Sequence, residues 1–144
     1  MAEYNNLYAS LVKFSQDFIQ TLTTPATFVD FDNHADIDTL PNTDIVGIRA
    51  MMVDTAEKVM NVNVMFGVST EDDKNLFRHR DIVDKLFTAL QPTKRISYID
   101  AVNGVALGYL IIQGGTTVVP ITRALIRPFQ QISVSLLGDR KPAL

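Results

Sequence analysis

Residues 44–69 read DIVGIRAMMVDTAEKVMNVNVMFGVS. In the first half one alternate set is apolar: Val46, Ile48, Ala50 and Met52. In the second half Met60, Val62, Val64, Phe66 and Val68 alternate with Asn61, Asn63, Gly67 and Ser69. A period of two with one apolar side marks half-buried strands, because successive side chains of a strand point to opposite faces. Asp54-Thr55-Ala56-Glu57 between the runs is short and polar, so they are expected to pair as an antiparallel hairpin. A slip of one residue would turn the apolar set to water, so the pattern itself specifies the pairing.

Upstream, Leu7, Tyr8, Leu11, Phe14, Phe18, Ile19 and Leu22 recur at spacings of three and four, the stripe of an amphipathic helix. Asn5 or Asn6 is expected to cap it, and Thr23-Thr24-Pro25 to stop it. Residues 26–32 read as a possible strand, and the polar stretch 33–43, without periodicity, as a loop. Downstream, Ser69-Thr70-Glu71-Asp72 is expected to open a second helix, with a hydroxyl at its cap and acids in its first turn. Leu76, Val83, Leu86, Phe87 and Leu90 form its stripe, and Pro92 ends it.

Two more strands are expected at 95–102 and 105–113, around a tight turn at Asn103-Gly104. Residues 130–137 alternate again, with Ile132, Val134 and Leu136 on one side and Gln131, Ser133 and Ser135 on the other. Between these strands lies an apolar, poorly patterned excursion from Gly114 to Pro128, which Pro120 and Pro128 bar from a central strand position. The order predicts an α+β fold: a mostly antiparallel sheet with two amphipathic helices packed on one face, plus an extended arm or long hairpin loop. A single domain over 1–144 is expected, with 114–128 as an interface arm and 139–144 as a flexible tail.

At 144 residues the chain is long enough to bury a core. It has no cysteine, which excludes disulfides, thiolate nucleophiles and sulfur-ligated zinc. A net charge of −3 does not suit a protein that grips nucleic acid over a broad face. The N-terminus lacks the basic start and apolar run of a signal peptide. The longest apolar run, 105–112, is interrupted by Gly108 and is less than half a membrane span. A soluble protein made in a cytoplasm is the expectation.

The one concentration of ligand-type side chains is the stretch holding Asp30, Asp32, His34, Asp36 and Asp38. Acids at every second position resemble the opening of a calcium loop, but Ala35 stands where the turn needs glycine and Pro41 where the loop needs glutamate. The stretch therefore reads either as a solvated acidic loop or as the lining of a negatively charged passage. His79, in Arg78-His79-Arg80, is surrounded by Asp72, Asp73, Asp81 and Asp84 and reads as part of a salt-bridged helix face. No phosphate cradle, nucleophile motif or cofactor motif appears, so a non-enzymatic protein without cofactors is expected. The apolar residues of the excursion, Val118, Val119, Ile121, Leu125, Ile126 and Phe129, are too many to leave in water. They belong either to the core, folded back over the sheet, or to an interface with another subunit.

This layout resembles the tail terminator (tail completion) proteins of long-tailed bacteriophages. The likeness rests on the N-terminal helix, the 44–69 hairpin, the helix over 72–90, the strand 95–102 and the closing strand Gln130-Gln131-Ile132-Ser133-Val134-Ser135-Leu136-Leu137. It is a likeness of layout, and the excursion 114–128 has no place in the family pattern. Such proteins form a hexameric ring on the last ring of the tail tube, stop its growth and offer a surface to the head connector. The resemblance implies copies of the chain itself, a tail tube protein and a head-completion or connector protein as partners, and a place in the virion after assembly in the host cytoplasm. DNA would pass through without specific binding, past a lumen lined by Asp30, Asp32, Asp36 and Asp38. Other neck or tail-tube subunits, or a small-molecule-binding α+β regulatory domain, are the alternatives.

Overall fold

The computed structural model describes residues 2–33, 43–71, 76–124 and 127–139. Helix α1 (Ala2–Gln20) is followed by β1 (Ala26–Asp30), a 3-10 turn (Phe31–Asn33), β2 (Asp44–Thr55) and β3 (Val59–Ser69). Then come α2 (Phe77–Ala89), β4 (Arg95–Ile99), β5 (Ala106–Ile112), the short β6 (Thr117–Val118) and β7 (Thr122–Ala124), and β8 (Arg127–Asp139). The strands form one sheet in the order β1-β2-β3-β8-β5-β4, with β6 and β7 also paired to β8. All pairs are antiparallel except β1 with β2. The fold is thus α+β with two helices and a mostly antiparallel sheet.

The hairpin of residues 44–69 forms, but a bulge divides it. Val46 pairs with Val68 and Ile48 with Phe66, and the register then shifts between Arg49 and Met52. Ala50 takes a left-handed backbone there, with φ 56°. One extra residue reverses the alternation. Met51 and Val53 consequently pack against the core, while Met52, expected on the apolar side, is 68% exposed. β2 runs one residue further than expected, to Thr55, and the turn is closed by the Ala56 amide donating to the Val59 carbonyl.

The main core cluster joins residues of both helices with residues of the sheet. Leu7, Leu11 and Phe18 of α1 join Ile82, Val83 and Leu86 of α2 in one buried cluster. Val62, Val64 and Phe66 of β3 and Ile132, Val134 and Leu136 of β8 supply its sheet side. Full burial of each such side chain contributes about 1.5–3 kcal/mol. A second, smaller cluster of Val29, Phe31, Ile45 and Phe129 covers the opposite side near β1. There the Phe31 ring lies edge-on to Phe129 at 5.1 Å and sits over Gly47 and Gly67. A Cβ on Gly67 would meet the Phe31 ring at 2.7 Å, so the bare backbone is what admits it.

Several boundaries differ from the sequence reading, each for a local reason. α1 begins at Ala2, so Asn6 is inside the helix rather than its cap. Its side chain accepts instead from the Ala101 amide at 2.9 Å, and Ser10 accepts from the Ile99 amide at 2.9 Å. Two polar side chains of α1 thereby satisfy backbone donors at β4 that no further strand pairs. α2 begins at Phe77, not at Ser69; Ser69 ends β3, and Leu76 at the cap has φ 60° and no side-chain cap bond. The β4–β5 connection runs from Asp100 to Val105, longer than a two-residue turn, because Asp100 accepts from the Val102 and Asn103 amides and stabilises a wider loop.

Candidate assembly surface

The sequence-predicted interface segment starts as a strip along the sheet. Thr117 and Val118 pair with Ser133 and Ile132, and Thr122, Arg123 and Ala124 pair with Phe129, Pro128 and Arg127. β8 is 13 residues long, longer than any one of β5, β6 and β7, so its second edge is covered by all three in succession. Pro128 itself lies in β8, where its carbonyl accepts from Ser69 Oγ at 2.6 Å. It is tolerated at the end of the β3 ladder, whose last pair is Ser69 with Phe129. Val118 and Val119 are half-buried and Ile121 is 37% exposed, while Leu125 and Ile126 lie outside the described residues.

Beside this strip, β6 and α2 border a cleft of about 340 Å³ lined by Val83, Phe87, Val118 and Ile121, with Arg80, Asp84 and Gln130. A wider groove of about 590 Å³ separates α1 from α2, over Phe14, Phe18 and Ala89. At the far end of the sheet the β4–β5 hairpin projects apolar side chains that the sequence reading had not singled out. Val102 is 94% exposed, and Val105 and Tyr109 are each 56% exposed. Ile111 is exposed as well, and the Arg95 guanidinium stacks over the Tyr109 ring at 5.3 Å. The alternation of Tyr109 and Ile111 with buried Leu110 and Ile112 was the available signal.

Of the Arg78-His79-Arg80 segment, expected on an outer helix face, Arg80 is exposed, whereas His79 and the half-buried Arg78 belong to a polar junction. His79 is fully buried. Its Nε2 faces Gln130 Oε1 at 3.0 Å, and Gln130 Nε2 donates to the Val119 carbonyl at 3.0 Å. With the Gln130 oxygen as acceptor, His79 carries its proton on Nε2, leaving Nδ1 toward Thr70 Oγ1 at 3.5 Å. Arg78 grips Asp44 with two bonds, at 2.7 and 3.0 Å. Arg127 donates to Ser69 Oγ at 2.7 Å and to the Thr43 carbonyl at 2.6 Å. Burial pulls the Arg127 pKa below its ordinary value, against the opposing charges of Glu71 and Asp44. Five separate segments are tied here, and the strip carrying Val119 is one of them.

The acidic stretch is described only at its start. Asp30 accepts from the Tyr8 hydroxyl at 2.8 Å and from the Asp32 amide at 3.0 Å. Asp32 accepts from the Ala50 amide at 3.1 Å, which satisfies the donor that the bulge takes out of the ladder. Asp32 therefore holds the turn after β1 against the bulge, while Asp30 ties the end of β1 to α1. His34, Asp36 and Asp38 lie outside the described residues. Among the described residues no group of three His, Cys, Asp or Glu side chains is placed to hold a metal ion. No described helix is long and apolar enough to cross a membrane.

No protein-family model matches the chain, and no curated protein matches it. Solved structures do share the fold. One chain superposes with a TM-score of 0.60 at 10% identity, over 98% of this chain and 97% of the other. At that identity the likeness is one of fold, and it extends over essentially the whole length of both chains.

Proposed function

We propose that this chain is a structural subunit that forms a ring at the head-proximal end of a phage tail tube, ends tube growth and provides the joint to the head connector. The observation that carries the reading is the β4–β5 hairpin, which holds Val102, Val105, Tyr109 and Ile111 in solvent. Contiguous apolar side chains on a projecting element mark a surface that another protein covers. The order of helices and strands, similar to that of tail terminator proteins, supports the choice of partner.

In this reading both helices shield one face of the sheet, and the strip from Gly114 to Pro128 serves as an interface. The partners are copies of the chain itself, the tail tube protein and a head-completion or connector protein. Asp30 and Asp32, at the start of the acidic stretch, border the passage, where negative charge keeps DNA phosphates from adhering. The protein assembles in the host cytoplasm and resides in the virion.

The test mixes the purified protein with tail tubes of the phage that encodes it and images them by negative-stain electron microscopy. Rings closed by cyclic symmetry, of about six subunits as the resemblance to tail terminator proteins implies, are expected on one end of each tube. A chain that stays monomeric alone and leaves every tube end bare overturns the reading.

A further inference from the structure

The two apolar surfaces described above stand at opposite ends of the sheet. Val118 pairs with Ile132 of β8, whereas Leu110 pairs with Gly138, and the hairpin tip lies beyond Leu110. Six residues along β8 and five more along β5 place the tip roughly 35 Å from the cleft along the strand direction. The tip of one chain therefore does not reach the cleft of the same chain. A contact between two different patches on one molecule is heterologous, and each copy that uses its tip leaves its own cleft for the next.

Shape and charge both fit such a contact. The tip presents two valines on a short loop, and the cleft between β6 and α2 is apolar along Val83, Phe87, Val118 and Ile121. Asp100 is the one charged residue among 100–105. Glu3 also lies near, since after the larger effect of burial both Glu3 and Asp100 push the Tyr98 hydroxyl pKa up. The hairpin end is acidic, and the cleft has exposed Arg80 at its border, with Asp84 one helical turn further along α2. The Arg80 guanidinium forms no ion pair among the described residues.

We propose that the tip of the β4–β5 hairpin of one copy seats in the α2–β6 cleft of the next, an inference that rests on the ring reading and names the surfaces that build the ring. Val102 and Val105 fill the apolar floor, and the acidic end of the hairpin meets Arg80. The repeated contact closes when its rotation divides a full turn.

The chain has no cysteine of its own, so engineered cross-links report the contact without background. The double variant Val102→Cys with Ile121→Cys alters two exposed positions and is expected to keep the wild-type circular dichroism spectrum. On mild oxidation it should give a non-reducing gel ladder of dimers, trimers and higher species that ends at the ring size. Each single variant should give no ladder. As an independent readout, Val105→Lys should abolish ring formation while leaving the fold intact. Dimers from Val102→Cys alone would indicate tip-to-tip contact and overturn the proposal. Rings of the double variant that form on tube ends yet give no cross-linked ladder, or rings that survive Val105→Lys, overturn this contact and leave the ring reading standing. Absence of rings from the wild-type chain, in solution and on tubes, overturns both.

Discussion

Asp44 accepts two bonds from the Arg78 guanidinium and one from the Glu71 amide while only 7% exposed. Burial alone would raise its pKa, but these bonds and the charges of Arg78 and Arg127 bring it below the ordinary carboxylate value. A carboxylate whose folded pKa is depressed stabilises the fold fully above its unfolded pKa, near 3.9, and loses that contribution as pH falls through the folded value. Asp44→Asn should therefore cost about 2–3 kcal/mol at pH 7 in urea denaturation, with a difference from wild type that shrinks below about pH 4. Tyr8 shows the opposite limb. Burial first, then its bond to Asp30 and the charges of Asp30 and Asp32, push its pKa up to about 12. The folded chain holds this proton where the unfolded chain has released it, so stability falls as pH rises from about 10 toward 12. Tyr8→Phe should flatten that alkaline decline in a thermal-melt series. Neither tyrosine nor aspartate was assigned these partners from sequence, because pairs 22 and 34 residues apart follow from topology rather than spacing.

The bulge in β2 is the element that sequence periodicity missed. Alternation reports which side chains share a face only while the ladder stays regular, and one inserted residue reverses the phase beyond it. Ala50 bears the local cost, since a left-handed backbone costs an L-residue with a Cβ about 1–2 kcal/mol. Because its side chain is exposed, Ala50→Gly should relieve that strain without opening a cavity. A net gain of about 0.5–1 kcal/mol, after the extra entropy of glycine in the unfolded chain, is expected and would appear as a higher urea midpoint. The start of α2 was misplaced for a related reason. Ser69 and Thr70 have the residue types of a helix cap, yet their hydroxyls serve other partners. Ser69 Oγ donates to the Pro128 carbonyl and accepts from Arg127, and Thr70 Oγ1 lies beside His79. Local propensity gave way to a buried polar junction that only the folded chain assembles.

Across the whole molecule, two kinds of apolar residue carry two different roles. Val64 is 2% exposed in the centre of β3, so Val64→Asp buries an unpaired charge and should unfold the chain, with loss of the far-ultraviolet circular dichroism signal. Val102, 94% exposed, should accept aspartate with the fold unchanged, within about 0.5 kcal/mol by denaturation. The sequence by itself determined the order of the two helices and the longer strands, the antiparallel pairing of the 44–69 hairpin apart from its bulge, the inward sets of β3 and β8, and the absence of thiol chemistry. These are properties of local periodicity and composition, which a chain carries before it folds. Tertiary structure decided the rest. It laid the irregular 117–124 segment along the second edge of β8, buried His79, turned Asp30 and Asp32 into acceptors for Tyr8 and the bulge, and left the β4–β5 hairpin uncovered. Each of these depends on which distant backbone edge or side chain arrives beside a residue, and apolar content alone does not distinguish a side chain awaiting the core from one awaiting a partner.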